Sequence, residues 1–228
     1  MTDAAAVTHR RLRVALLVLG GVMWVAVFVV LFRLWDERRK AAADNGSQQT
    51  GQPVLPSKPA FQPYKLPDFT LEECRGGTIG KSDLLGKPWV ASFIFTRCRG
   101  QCPKINAQMK ELQSRLGDTN VRLVTISVDP RHDTPAVLKR LAKKWNAPAD
   151  RWLFLTGRQE DVYRLIHSGF KLAVAQNTGN RRTPGNEVTH SHRVLHVDET
   201  GTVVGAYDGR STLDMIRLRQ VLTRKAAE

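Results

Sequence analysis

Two apolar runs set the tightest limit on what this chain can become. WVASFIF (Trp89–Phe95) and VRLVTISV (Val121–Val128) are β-prone and dominated by branched and aromatic residues. A short run of this kind, bounded by turn signals, belongs to a strand covered on both faces. Between the two, Pro103–Leu116 sets Ile105, Met109, Leu112 and Leu116 along one stripe, with Pro103 suited to a first turn. Strand, helix and strand in that order predict helices layered on a sheet.

The alternation continues downstream. Thr134–Trp145 reads as a helix with Pro135 near its start and Thr134 as its N-cap. WLFL (Trp152–Leu155) reads as a strand and Gln159–His167 as a short helix. KLAVA, RVLHV and TVVGAYD read as later strands, the last two joined by a turn at Asp198–Gly201, and Leu213–Ala226 closes the chain as a helix. The pattern predicts an α/β fold: a mixed sheet flanked by helices, with no internal repeat.

A different element precedes this domain. Val14–Phe32 runs for 19 residues without a charge. As a helix it would be about 28 Å long, close to the roughly 30 Å of a hydrocarbon core. Trp35 follows where an interfacial aromatic sits. A cleaved signal peptide would carry a shorter apolar region with small residues directly after it, whereas Arg33, Asp36, Glu37, Arg38, Arg39 and Lys40 follow here. The reading is therefore a tail over 1–13, a single transmembrane helix over 14–35, a proline-rich linker over 36–66 and a folded domain over 67–228. Arg10, Arg11 and Arg13 balance the basic residues beyond the span, so flanking charge leaves the orientation open.

The net charge of +14 raises the question of nucleic acid. The basic residues are scattered singly or in pairs, without the clustered stripe that such binding needs, and no nucleic-acid partner is expected. Three cysteines form no closed disulfide set. Cys74, in EECRGG, reads as a partly exposed thiol in a turn, without a partner in the chain.

Cys98 and Cys102 are another matter. They lie between a buried strand and the first turn of a helix, four residues apart and followed by Pro103. Residues at that spacing share a helix face, so the sulfurs can converge. Helix N-terminal N–H groups, together with Arg97, Arg99 and Lys104, favour thiolate. Two thiolates form a soft site suited to Cu(I), and they can equally close a disulfide. A third ligand would come from His9, His132, His167, His190, His192 or His196. His9 precedes the span and His167 falls on a helix surface. His190, His192 and His196 cluster at the entry to a late strand, His190 and His192 on one face by period two, and spacing does not choose between those two. Asp129 and Asp133 follow the second buried strand, Asp129 read first as a cap for the next turn and otherwise as a residue that helps position a partner near the site.

Four stretches in order resemble the Sco/SenC family of thioredoxin-fold copper chaperones over roughly residues 67–226. They are PDFTL with SDLLGKPWVASFIFT; CRGQCP; ISVDPRHDTPAVLKRLAKKW with RWLFLTG; and THSHRVLHVDETG. The resemblance implies a thioredoxin-like sheet, one N-terminal anchor, and a domain on the periplasmic or other extracytoplasmic side, or in the mitochondrial intermembrane space. It implies copper, as Cu(I) or Cu(II), held by both cysteines and one histidine. It further implies a role in building the copper centre of cytochrome c oxidase, with a client such as its subunit II. The family histidine lies eleven residues before the glycine of the strand-joining turn. Counting back from Gly201 assigns the ligand to His190, with His192 as the rival.

Two family positions differ. Arg99 stands where proline is common and Gln101 where an acidic residue is common, and Asn177–Asn186 forms a basic insert. Three functions fit these residues: a metallochaperone, a thiol–disulfide oxidoreductase in which one of Cys98 and Cys102 attacks and the other resolves, and a redox or copper sensor. Whether the chain is an enzyme is left open by its residues.

Overall fold

The computed structural model describes residues 28–38 and 61–225. The chain divides into two compact units, residues 1–59 and residues 60–228. In the first unit, residues 28–38 form a helix, α1, with Phe28, Leu31 and Trp35 exposed. Among the described residues no helix is long and apolar enough to cross a membrane. Most of the segment read as an anchor, with the tail before it and most of the linker after it, lies outside the described residues.

The second unit is built on a sheet in the order β1-β10-β9-β4-β5-β6-β2-β3. Its centre is β4 (Trp89–Ile94), β5 (Arg122–Ser127) and β6 (Trp152–Thr156), mutually parallel and in register from Trp89 opposite Arg122 and from Leu123 opposite Trp152. Every residue of β4 and β6 is buried, as the lack of alternation requires. On the other side of β4 runs β9 (Arg193–Val197), antiparallel, then β10 (Thr202–Asp208). Tyr64 and Lys65, read as linker, pair with β10 as β1. β2 (Thr70–Glu73) and β3 (Thr78–Gly80) close the far edge. The mixed α/β sheet with flanking helices is the architecture that the apolar runs predict.

Between β3 and β4 lies the short α2 (Lys81–Leu84). α3 (Cys102–Arg115) crosses from β4 to β5 and packs beside α6 (Thr212–Lys225), while α4 (Pro135–Lys144) packs on β6. Thr134 is the N-cap residue of α4, but its side chain makes no capping bond. After α5 (Gln159–Arg164) a π-helical turn carries Phe170 into the core, edge-on to Phe93 at 5.0 Å and to Trp89 at 6.2 Å.

The late segment departs from the expected pattern. β7 (Val174–Gln176) and β8 (Val188–His190) pair with each other as a separate two-stranded ribbon. The insert between them joins its arms: Asn177 Nδ2 donates to Asn186 O at 2.7 Å, and Thr189 Oγ1 donates to Asn177 Oδ1 at 2.8 Å. His190 therefore ends a ribbon strand and does not open the strand RVLHV.

Cys74 is also unlike the reading. It sits in the turn after β2 but is only 4% exposed. Burial, then the adjacent Glu73 carboxylate, pushes its thiol up to about 12. Glu73 is itself buried and accepts from Arg75 N–H at 2.6 Å and Phe154 N–H at 3.2 Å. A protonated thiol in that setting is a core residue.

Candidate metal centre

Parallel strands direct the segments that follow them to one edge of the sheet, where open α/β sheets hold ligands. β4 ends at Ile94 and leads through Thr96, Arg97 and Cys98 into α3, whose first residue is Cys102. Cys102 is 2% exposed and Cys98 partly buried, and both are free thiols. The Cys102 thiol donates to Cys98 sulfur, which holds the Cys98 thiol down to about 5. N–H groups of Cys102, Gly100 and Gln101 at the start of α3 act in the same direction, against the cost of burial. The same hydrogen bond, with burial, drives the Cys102 thiol strongly up. One sulfur is thus a thiolate at neutral pH and the other its proton donor.

His190 arrives from the far end of the sequence. Its Nε2 stands 3.6 Å from Cys102 Sγ. Its Nδ1 is 2.9 Å from the Ser191 carbonyl, which can only accept, so Nδ1 carries the proton. The lone pair of the neutral ring then lies on Nε2, the atom facing the sulfur. Burial pushes the imidazole down to about 4, and His192 nearby adds to the shift, so the ring is neutral at pH 7. Phe95 supports it edge-on at 5.8 Å between ring centroids.

Arg97 ties these segments together. Its guanidinium lies 2.5 Å from Asp129 Oδ2, after β5, and 3.4 Å from Glu187 Oε1, three residues before His190. Both carboxylates are buried. Asp133, also buried, accepts from Thr96 N–H at 3.0 Å, from Thr96 Oγ1 and from Ser127 Oγ at 2.6 Å. The cysteine loop also meets the ribbon at Gly185. Its φ is +89°, and a Cβ there would lie 2.6 Å from Arg99 Cγ.

A profile of the SCO1/SenC family matches residues 57–224. The chain belongs to the SCO1/SenC family. It is similar to the SCO1 protein homolog of Bacillus subtilis, 34% identical over 149 residues, 64% of this chain and 75% of that one. It is 28% identical to the SCO2-like protein of Rickettsia felis over 136 residues, spanning only 64% of that relative's length. Among solved structures it resembles BsSco, described as a member of the Sco family of cytochrome c oxidase assembly proteins in which a disulfide switch was identified. That match has 29% identity and a TM-score of 0.61, over 72% of this chain and 94% of that one. It also resembles yeast Sco1 with copper bound, at 26% identity and a TM-score of 0.55, over 68% and 87%.

Within this SCO1/SenC fold the residues singled out by sequence are distributed unequally. Cys98, Cys102 and His190 come together at one edge, with Cys102 touching both other groups. Among the described residues no group of three or more His, Cys, Asp or Glu side chains stands close enough together, as placed, to hold a metal ion. His192 lies beyond the end of β8, partly buried, its ring 5.4 Å from that of His190. His132 and His167 are exposed, and His196 is buried within β9. Asp129 does not cap with its carboxylate; that group faces Arg97. The clamp on Arg97 and Glu187 was not legible in the sequence. Arg97 registers there only as positive charge beside Cys98, and nothing local pairs it with a carboxylate ninety residues on.

Proposed function

We propose that this chain is a membrane-anchored copper metallochaperone that holds copper through Cys98, Cys102 and His190. One observation carries the reading: a neutral imidazole, from 88 residues away in sequence, presents Nε2 3.6 Å from Cys102 Sγ. A metal bonded to a sulfur at about 2.3 Å and a nitrogen at about 2.0 Å, with tetrahedral or trigonal angles, separates the two donors by roughly 3.5–3.7 Å. Two sulfurs with one imidazole form a soft donor set suited to Cu(I). The Cys98 thiolate supplies the first bond without losing a proton. Cys102 gives up its proton on binding, which removes the hydrogen bond to Cys98 and leaves both sulfurs free for the metal. Ser191 holds the His190 ring in the tautomer that binds.

Copper in yeast Sco1 and oxidase assembly in BsSco support the same cargo and role here, namely delivery of copper to, or maintenance of, the copper centre of cytochrome c oxidase, with subunit II as client. The charge-free run Val14–Phe32 supports an anchor, and the family resemblance alone supports a domain on the periplasmic side or in the intermembrane space. Arg99 and Gln101 make the rim more basic than the resemblance leads one to expect.

A second reading rests on the divided protonation of the sulfurs. A thiolate near neutral pH beside a resolving thiol is also the chemistry of disulfide exchange. In that step Cys98 sulfur attacks a client disulfide and releases one client thiolate. Cys102, once deprotonated, then attacks the mixed disulfide, leaving Cys98–Cys102 oxidised and the client dithiol reduced. The two readings separate at His190. His190→Ala is expected to abolish tight Cu(I) binding, measured by competition with a chelator, while reduction of a client disulfide persists. Cys98→Ser and Cys102→Ser each remove both. Wild-type Cu(I) affinity in His190→Ala contradicts the three-donor site.

A further inference from the structure

We propose that His192 is a fourth donor, engaged when the copper held by Cys98, Cys102 and His190 is Cu(II). The inference rests on the three-donor reading and extends it to a residue which that reading leaves idle. Cu(I) is satisfied by two or three soft donors. Cu(II) is harder, prefers four ligands in a tetragonal arrangement and binds imidazole well. A chaperone site that meets both oxidation states gains from a second imidazole that is close but not locked.

His192 has that placement. Its ring centroid lies 5.4 Å from the His190 centroid, the planes tilted by 53°. Two imidazoles bonded to one Cu(II) at about 2.0–2.1 Å, at neighbouring corners of a tetragonal arrangement, place their centroids roughly 4.5 Å apart, so the His192 ring closes in by about 1 Å on binding. Arg210, Asp208 and Cys98 are all near enough to act electrostatically on the His192 ring. Asp208 is engaged by Arg210, 2.8 Å away, and does not hold the imidazole.

The main chain of His192 is fixed. Gly209 N–H donates to His192 O at 3.0 Å, and a Cβ at Gly209 would lie 3.1 Å from that oxygen and 2.8 Å from Val194 Cγ2. The turn that follows β10 thus holds the backbone at the rim, and the ring itself is partly exposed. His190 differs on both counts. It is more deeply buried and its Nδ1 is bonded, so it is the permanent imidazole and His192 the conditional one.

Pulsed electron–nuclear double resonance on the Cu(II)-loaded full chain counts directly bonded imidazole nitrogens. The same samples, reduced, give Cu(I) affinity by chelator competition. The expected result is two nitrogens in the wild type, one in His192→Ala and one in His190→Ala. Cu(I) affinity should be unchanged in His192→Ala and lost in His190→Ala. Unchanged Cu(I) affinity also shows that His192→Ala folds. One nitrogen in both the wild type and His192→Ala, with none in His190→Ala, overturns the fourth donor and leaves the three-donor site intact. One nitrogen in His190→Ala and none in His192→Ala overturns the His190 assignment on which the proposal stands.

Discussion

A cysteine pair becomes useful to a soft metal only when the cost of making thiolate is already partly met. Here the two sulfurs divide the task. Cys98 is held down to about 5 by the Cys102 thiol and by N–H groups at the start of α3, and Cys102 is driven up by the same bond and by burial. Cys98 should therefore react first. Its alkylation rate is expected to rise through a midpoint near pH 5 and to level off above it, because the thiolate is the nucleophile and is fully formed there. Cys102→Ala removes the strongest supporting bond and should move that midpoint upward. A midpoint in the ordinary thiol range in wild-type protein contradicts the arrangement. His190 adds no proton competition at neutral pH, since burial keeps the ring uncharged down to about 4. The sequence shows the thiol pair, its Pro103 and the helix start. Which sulfur is deprotonated was not legible, because that follows from burial of Cys102 against the core. Cys74 was misread for the same reason: a polar local sequence does not reveal that Glu73 and Arg75 satisfy each other beneath it.

At the scale of elements, the site exists because three segments distant in sequence are fastened to one another. Arg97 bridges the loop after β5 and the strand leading to His190. Arg97→Met leaves two buried carboxylates without a cationic partner. It is expected to destabilise the domain by about 2 kcal/mol in denaturant titration. Cu(I) affinity should fall with it, because the ribbon bearing His190 is no longer tied to the cysteine loop. At Gly185 the positive φ excludes an ordinary side chain. Gly185→Ala should cost about 1–2 kcal/mol, chiefly through the backbone, since the Arg99 side chain it would meet is flexible and can move aside. The central strands and α3 were readable because their patterns are local: apolar runs for β4 and β5, and a stripe of apolar positions for α3. Of the ribbon, KLAVA marked β7, but β8 and the pairing of the two were not readable, because that pairing rests on Asn177 reaching across the insert to Asn186 and Thr189. A three-residue strand leaves no periodic mark.

Across the whole molecule, a sheet whose centre is parallel delivers chain after chain to one edge, and the SCO1/SenC fold uses that edge to bring a thiol pair and a late imidazole together. The family resemblance selected His190 over His192 where residue spacing did not, and the 3.6 Å contact with Cys102 belongs to His190. The proposed anchor belongs to the same account. Deletion of residues 14–35 is expected to move the protein from the membrane fraction to the soluble fraction with Cu(I) affinity retained, because no residue of the donor set lies in that segment. Retention of the deleted form in membranes contradicts a single span as the anchor. The most direct measurement of the central claim is X-ray absorption at the copper edge of the full chain loaded with one equivalent of Cu(I). Two sulfur neighbours and one imidazole nitrogen are predicted, the nitrogen disappearing in His190→Ala. A first shell of sulfur alone in the wild type, or a nitrogen that survives His190→Ala unchanged, contradicts it.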